Sequence, residues 1–267
     1  MGFLFCCLNV LRFLKLPQKK PIFYQKIYLV FGIINLFMQE KKEKKPQIEK
    51  KTEPLMDNKR YRLSKSGLAI FLSGLKTFSE PDLYSEQYST DSETAASVLW
   101  NLFISGLIEG KTIGDFGAGT GILGIGALFL GAKECYFVER DEKAIKILKS
   151  NLSSFDKSKY TILSKDVVTV TRKDFKGDLE LVLQNPPFGT KKKNADKEFL
   201  GKAFELCSHV ASFHKSSTER FVNTYSSDNC FLIQKRWDFC YPLKRSFLFH
   251  KSRIKYIDVS CFLFVKE

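Results

Sequence analysis

The segment Asn185-Pro186-Pro187-Phe188, called the catalytic corner below, has the most specific chemistry in this 267-residue sequence. Two consecutive prolines make a rigid turn without N–H donors, which leaves the Asn185 side-chain carbonyl and a proline carbonyl as fixed acceptors. An aromatic amine is a poor nucleophile because its lone pair is delocalised. Two acceptors on that amine favour a pyramidal nitrogen and aim its lone pair at a methyl carbon. Since Phe188 could stack on a flipped-out base, the corner predicts methylation of a base amine.

The run Asp115-Phe116-Gly117-Ala118-Gly119-Thr120-Gly121 predicts a ligand-binding turn. It follows a predicted strand and precedes a predicted helix, which is the context in which such a turn binds ligands. Gly117 and Gly119 allow the backbone to pass close to a ligand. The spacing differs from the G-x-G-x-x-G of dinucleotide binders, and a carboxylate at Asp115 suits the ammonium of a methionine moiety.

Two further acids follow the next predicted strands. Glu139 lies about 20 residues beyond the glycine turn, where a carboxylate can accept hydrogen bonds from ribose hydroxyls. Asp166 follows the third strand, where it could accept from an adenine amine. Together with the glycine turn, these acids predict S-adenosyl-L-methionine as the cofactor.

Basic side chains in the loops that the predicted fold brings near the substrate are expected to contact RNA phosphates. They are Lys191, Lys192, Lys193, His214, Lys215, His250 and Lys251. Neither His214 nor His250 has an acidic neighbour in sequence that would mark it as a base or a metal ligand, and a structural role for both stays open.

The formal net charge is +14, and residues 1–55 carry half of it, with 11 Lys and Arg against 4 Glu. This excess favours a phosphate-rich partner, while a hydrophobic content of 44% is enough for a packed core. The seven cysteines include no C-x-x-C pair, so no metal site is indicated. Reduced cysteines are typical of intracellular proteins, and we expect the cytoplasm, or the nucleus in a eukaryote.

Residues 1–55 are predicted to be a poorly ordered extension or an artefact of gene prediction, and residues 56–267 to be one functional domain. The apolar run from Ile27 to Met38 has only about 12 residues, whereas a membrane-spanning helix needs about 20. No stable membrane association is therefore expected.

Strands and helices alternate after Gly110, which predicts a doubly wound, mostly parallel α/β sheet. The predicted strands are 112–116, 135–139, 160–163, 179–183 and 212–215, followed by an antiparallel pair at 230–237 and 256–265. The predicted helices are 63–78, 94–107, 122–130, 142–152 and 197–210.

Residues from about 57 to 267 resemble the methyltransferase-like-five family, the small-subunit ribosomal RNA adenine-N6 methyltransferases. The segments that carry the resemblance are Ser85–Thr90, Asp115–Gly121, Asn185–Lys191, Phe213–Thr218 and Phe249–Lys251. It implies the class I S-adenosylmethionine-dependent fold, with seven strands and an antiparallel C-terminal strand. It also implies a heterodimer with a small zinc-binding activator protein that adds to the edge of the sheet.

The resemblance assigns roles residue by residue. Catalysis is implied at Asn185, Pro186, Pro187 and Phe188. Cofactor contacts are implied at Gln87, Thr90, Gly117, Thr120, Ile122, Glu139, Asp166 and Val167. Two positions depart from the usual pattern, because Ser89 stands where Pro is common and Glu139 where Asp is usual.

Three other interpretations stay open: a guanine-N2 methyltransferase of ribosomal RNA, a glutamine N5 methyltransferase acting on protein, and an RNA-binding scaffold without catalysis. The intact Asn185 and glycine turn argue against a loss of catalysis. The basic loops favour RNA over a protein substrate.

Overall fold

The computed structural model describes residues 63–78, 90–187, 195–243 and 255–267. Seven strands lie in these ranges: Thr112–Phe116 (β1), Glu134–Glu139 (β2), Tyr160–Ser164 (β3), Leu181–Gln184 (β4), His209–Lys215 (β5), Phe231–Leu243 (β6) and Lys255–Lys266 (β7). The helices of the same ranges are Lys65–Ser73 (α1), Ser92–Ile104 (α2), Ile122–Phe129 (α3), Glu142–Asn151 (α4), Ala195–Leu206 (α5) and Glu219–Asp228 (α6).

The strands form one sheet in the order β3-β2-β1-β4-β5-β7-β6. Neighbouring strands from β3 to β5 are parallel, whereas β7 runs antiparallel to both β5 and β6. The predicted doubly wound, mostly parallel sheet of seven strands with one antiparallel C-terminal strand is confirmed.

Helices cover both faces of the sheet, as a parallel sheet requires. On one face, α1 to α4 contribute to a core that includes Leu72, Leu99 and Ile125. On the other face, α5 and α6 pack with the segment 167–179 in a second core, which includes Phe204 and Phe264. The central strands are buried on both sides, which explains their continuous apolar sequence.

The order of the sheet places the carboxyl ends of four strands, β3, β2, β1 and β4, side by side. Phe116 at the end of β1 pairs with Val138 of β2 on one side and with Gln184 of β4 on the other. Glu139 at the end of β2 pairs with Ser164 of β3. The loops that follow these strands therefore share one edge of the sheet, where parallel α/β folds bind ligands.

The structure corrects two predicted elements. The helix predicted to reach residue 210 ends at Leu206, and β5 begins at His209 rather than at 212. The apolar residues in between pair with β4 and β7 in the sheet interior, so strand pairing prevails over a pattern that fits either element. Helix α6 was not predicted, because its sequence is polar and it buries only Val222 and Ser226.

None of the helices in the described ranges has the length and apolar character that crossing a membrane requires.

Candidate cofactor and catalytic site

The glycine turn is shaped by positive backbone φ angles at Gly117, Gly119 and Gly121. Gly121 has a φ of 93° and is the N-cap residue of α3. A Cβ at this position would lie 2.3 Å from Leu148 Cδ1, so a side chain would force the Leu148 side chain to move in addition to straining the backbone. The positive φ angles thus fix the path of the turn at the sheet edge, where Gly117 N and Ala118 N both donate to Val138 O.

Glu139 connects the glycine turn to the end of β2. Its Oε2 accepts from Gly119 N at 2.7 Å, and its Oε1 accepts from Arg140 N at 2.8 Å and Asp141 N at 2.9 Å. A carboxylate offers about four acceptor positions, and three are used here. Glu139 is only half-buried, so the remaining capacity lies at the edge where a ribose is predicted.

Asp115 lies below the turn rather than at its surface. It is 2% exposed, and its Oδ2 accepts from Gly124 N in the first turn of α3 at 2.8 Å. Burial raises the pKa of the Asp115 carboxyl to about 7; the bond from Gly124 lowers it, and the negative charge of Glu139 raises it further. Its predicted contact with a methionine ammonium stays a prediction.

Asp166 follows β3 at the same edge. Its carboxylate accepts from Val168 N at 3.2 Å and from Arg140 Nη1 at 2.7 Å. The ion pair with Arg140 joins the loops after β2 and β3. Val167, the next residue, is buried with 3% exposure. Asp166 therefore lies where the sequence predicts it, next to the loop that holds Glu139.

Two residues predicted for the cofactor belong to the glycine turn and the start of α3. Thr120 is 6% exposed, and Ile122 is half-buried. Asn151, at the end of α4, holds this part of the turn: its Nδ2 donates to Thr120 O at 2.9 Å and also to Lys76 O at 2.9 Å. Its Oδ1 accepts from Lys76 N at 2.9 Å. No sequence signal identifies Asn151.

Residues 185–187 of the catalytic corner follow β4 directly, next to the glycine turn that follows β1. Asn185 is half-buried, and its Nδ2 donates to Thr90 Oγ1 at 3.0 Å. Pro186 is buried and Pro187 is half-buried. The structure therefore brings three of the predicted catalytic residues, Asn185, Pro186 and Pro187, to one edge together with Thr90 and the glycine turn.

A buried polar chain lies behind the corner. Gln184 Nε2 donates to Ser212 Oγ at 3.0 Å, and Ser212 Oγ lies 2.8 Å from His214 Nε2. His214 is 1% exposed, and burial lowers its pKa to about 3, so the ring is neutral near pH 7. The prediction that His214 contacts RNA is wrong in this conformation, because the ring faces the core beside Phe262 and Phe264.

The remaining predicted residues divide into two groups. Lys215, at the end of β5, is half-exposed at the edge that carries the corner. Outside the described residues lie Gln87, Phe188, Lys191, Lys192, Lys193, His250 and Lys251. In the part of the chain that the structure describes, no group of three or more His, Cys, Asp or Glu side chains is placed to hold a metal ion.

Comparisons with known proteins agree with this arrangement. The family described as "Conserved hypothetical protein 95" matches residues 93–220. A Pyrococcus horikoshii crystal structure, provisionally named an RNA methyltransferase, is 40% identical with a TM-score of 0.68, and the match covers 76% of this chain and 97% of that one. Magnesium protoporphyrin IX methyltransferase from Synechocystis PCC 6803, solved with bound S-adenosylmethionine, shares the fold at 16% identity and a TM-score of 0.52, over 66% of this chain and 79% of that one.

The sequence relatives are more specific. The rRNA N(6)-adenosine-methyltransferase METTL5 of Danio rerio is 32% identical over 187 residues, which are 68% of this chain and 89% of the relative. The predicted resemblance is thereby confirmed. The protein is a methyltransferase with S-adenosyl-L-methionine as its cofactor, and the chain belongs to the METTL5 family of rRNA N(6)-adenosine-methyltransferases.

Proposed function

We propose that the protein transfers a methyl group to the N6 amine of an adenosine in small-subunit ribosomal RNA, and that this transfer takes place at the catalytic corner. The observation that carries the proposal is the pairing of β1 with β4, which puts the glycine turn and Asn185 on adjacent loops. A methyl donor held by the first loop and an amine held by the second would meet without any movement of the sheet. The family relationship supports the choice of base and RNA.

The residues at the edge suit a cofactor with a nucleoside part and a cationic part. Glu139 and Asp166 offer carboxylate oxygens at the ends of β2 and β3, where hydroxyl and amine donors of a nucleoside can bind. Asp115 adds a buried carboxyl group under the turn, whose ionised form a nearby positive charge would stabilise. S-adenosyl-L-methionine supplies the electrophilic methyl group.

The chain's own part in catalysis is to hold the amine. The Asn185 side-chain oxygen and the Pro186 carbonyl would accept from the two N–H groups of the adenine amine, which turns the nitrogen lone pair toward the methyl donor. The methylated nitrogen is strongly acidic and releases its proton to water, so no general base is required. His214 is unsuited to that task because it is buried and its Nε2 already contacts Ser212.

The identity of the methylated atom tests the proposal. Labelled S-adenosylmethionine is incubated with the full-length protein and small-subunit ribosomal RNA transcribed in vitro, and the RNA is then digested to nucleosides. We expect the label in N6-methyladenosine. Label in N2-methylguanosine, or only in added ribosomal protein, would replace the proposed function with one of the two alternative methyltransferase activities.

A small zinc-binding activator is the partner that we propose in addition to RNA, and β3 is the edge that we propose for its attachment. Strand β3 reads Tyr-Thr-Ile-Leu-Ser and carries no charge, and among the described residues it pairs only with β2, so its outer edge suits an added strand. The other edge strand, β6, carries Lys235 and Arg236 and a register shift between Ile233 and Lys235. Charges and irregularities of this kind discourage strand addition.

Hydrogen exchange distinguishes the two edges. With such an activator bound, we expect slower exchange of the amides in Tyr160–Ser164 and unchanged exchange in Phe231–Leu243. Protection of β6 alone would contradict the proposed attachment.

The division of the chain near residue 55 and the cytoplasmic or nuclear location stay predictions. Comparing the activity of residues 56–267 with that of the full chain tests the proposed division.

A further inference from the structure

The catalytic amide of Asn185 has two ends of nearly equal size and opposite function. The oxygen can accept from a substrate amine, whereas the nitrogen can only donate and would repel the amine's N–H groups. Packing alone distinguishes poorly between the two orientations, because NH₂ and O occupy similar volumes. A hydrogen-bond partner on one end is therefore needed to select the productive orientation.

The structure provides such a partner in Thr90, which lies 95 positions away in sequence. Asn185 Nδ2 donates to Thr90 Oγ1 at 3.0 Å, and Thr90 is 4% exposed. Because Thr90 is buried this deeply, water competes little for the bond between its hydroxyl and the Asn185 amide. The nitrogen end of the amide is thus committed to Thr90.

Thr90 is itself held on a rigid element. The next residue, Asp91, caps α2: its Oδ1 accepts from Glu93 N and Thr94 N, both at 3.0 Å. Helix α2 is fixed in turn by side chains such as Leu99, which is fully buried in the core. On the other side of the hydrogen bond, the prolines after Asn185 restrict its backbone. Both partners therefore keep their positions without the substrate.

We propose that Thr90 is the positioning residue of the reaction: it holds the nitrogen of the Asn185 amide and so directs the oxygen to the adenine amine. This inference rests on the proposed function. Thr90 acts through Asn185 and does not touch the reacting atoms. The role differs from the cofactor contact that the family resemblance implies for Thr90, because a cofactor contact governs affinity, whereas orientation of the amide governs the rate at saturating cofactor.

The replacement Thr90→Val tests the proposal, since it keeps the shape of the side chain and removes the hydroxyl. We expect kcat at saturating S-adenosylmethionine to fall by about 10- to 100-fold while the melting temperature stays that of the wild type. Thr90→Ser, which keeps the hydroxyl, should stay within about threefold of the wild type. If Thr90→Val raises only the Kd for S-adenosylmethionine and leaves kcat unchanged, the positioning role is refuted.

A double-mutant cycle with Asn185→Ala separates this role from a general structural one. If Thr90 acts through the amide, adding Thr90→Val to Asn185→Ala should reduce the residual rate by no more than about twofold. An additional loss as large as in the wild-type background would overturn the inference. Should either valine variant fold poorly, Thr90→Ala is measured in both backgrounds with the same criteria.

The same assay separates failure of the inference from failure of the proposed function. The substrate is small-subunit ribosomal RNA transcribed in vitro, and the product is digested to nucleosides. Absence of N6-methyladenosine with the wild-type protein contradicts the proposed function, whatever Thr90 does. Formation of N6-methyladenosine with an unchanged kcat in Thr90→Val contradicts the inference alone.

Discussion

Asn151 Nδ2 lies 2.9 Å from the backbone oxygen of Thr120, although the two residues are 31 positions apart. The same amide makes two hydrogen bonds with the backbone of Lys76, so it joins the segment after α1 to the glycine turn. Asn151 is 9% exposed, and water cannot readily replace these bonds. The conformation of the glycine turn therefore depends on a residue outside the turn.

We expect Asn151→Ala to lower the free energy of unfolding by about 2–3 kcal/mol, because three hydrogen bonds of its amide are lost, one buried and two partly buried. The Kd for S-adenosylmethionine should rise about 3- to 10-fold, as Thr120 loses its support. Urea unfolding and calorimetry measure the two effects. Lys76→Ala is the control, since the described contact of its side chain is an exposed bond to Ser150 and the backbone bonds to Asn151 remain. Equal cofactor affinity in Asn151→Ala and in the wild type would contradict this account of the turn.

Glu139→Gln should weaken S-adenosylmethionine binding about 10-fold even though the two side chains have the same shape. Both oxygens of Glu139 accept from backbone N–H groups, at Gly119 on one side and at Arg140 and Asp141 on the other. In whichever orientation the glutamine side chain is placed, its NH₂ group would face a backbone N–H donor instead of an acceptor. Calorimetry checks the affinity, and Glu142→Gln, exposed on α4, serves as the control. Unaltered affinity in Glu139→Gln would remove this residue from the cofactor site.

Sequence patterns predicted the sheet because the glycine turn and the catalytic corner each mark the end of a strand. They could not predict the start of β5 at His209, because the mixed apolar and polar segment from Leu206 to Ser212 fits a helix or a strand. The burial of His214 was missed for a related reason. Its position follows from the strand register, which sets it on the face covered by α5 and α6 with Phe262 as a neighbour.

The contacts that hold the site were also beyond the reach of sequence patterns. Thr90 and Asn185 meet only after the sheet is assembled, and so do Asn151 and Thr120. Side chains of Asn and Thr are common in loops and at helix ends, so their types give no signal. The sequence thus identified the residues at strand ends by their motifs, while the residues that orient them required the tertiary structure.

The pH dependence of stability should reveal the buried Asp115. Its pKa is raised from 3.8 in the unfolded chain to about 7, so the folded state retains a proton that the unfolded state has lost between these values. Asp115 therefore lowers the free energy of unfolding as the pH rises from about 4 to 7, by at most about 1.4 kcal/mol per pH unit. Asp115→Asn keeps an acceptor for Gly124 N and removes the titration.

Urea unfolding of both proteins at pH 5 and pH 8 tests this expectation. The stability of Asp115→Asn relative to the wild type should be greater at pH 8 than at pH 5. An identical difference at the two pH values would show that Asp115 does not titrate in this window. Cofactor affinity, measured on the same samples, should be lower in Asp115→Asn if the carboxylate attracts the methionine ammonium.

Lys215→Ala should weaken RNA binding without a change in cofactor affinity. Lys215 lies at the end of β5 on the edge that holds the catalytic corner, and its charge can neutralise one phosphate. The slope of log K against log salt should decrease by about 1. Lys133→Ala is the matched control, because Lys133 precedes β2 at the amino ends of the parallel strands, away from the catalytic corner. An equal loss in both variants would indicate a general effect of charge rather than a phosphate contact at the corner.

The rate of methyl transfer in Asn185→Ala, measured at saturating S-adenosylmethionine on small-subunit ribosomal RNA transcribed in vitro, tests the central claim most directly. Asn223→Ala, exposed on α6, is the control variant. We expect Asn185→Ala to bind the cofactor like the wild type and to form N6-methyladenosine at least about 100-fold more slowly. Formation of N6-methyladenosine at the wild-type rate in Asn185→Ala would contradict the claim that this amide holds the adenine amine.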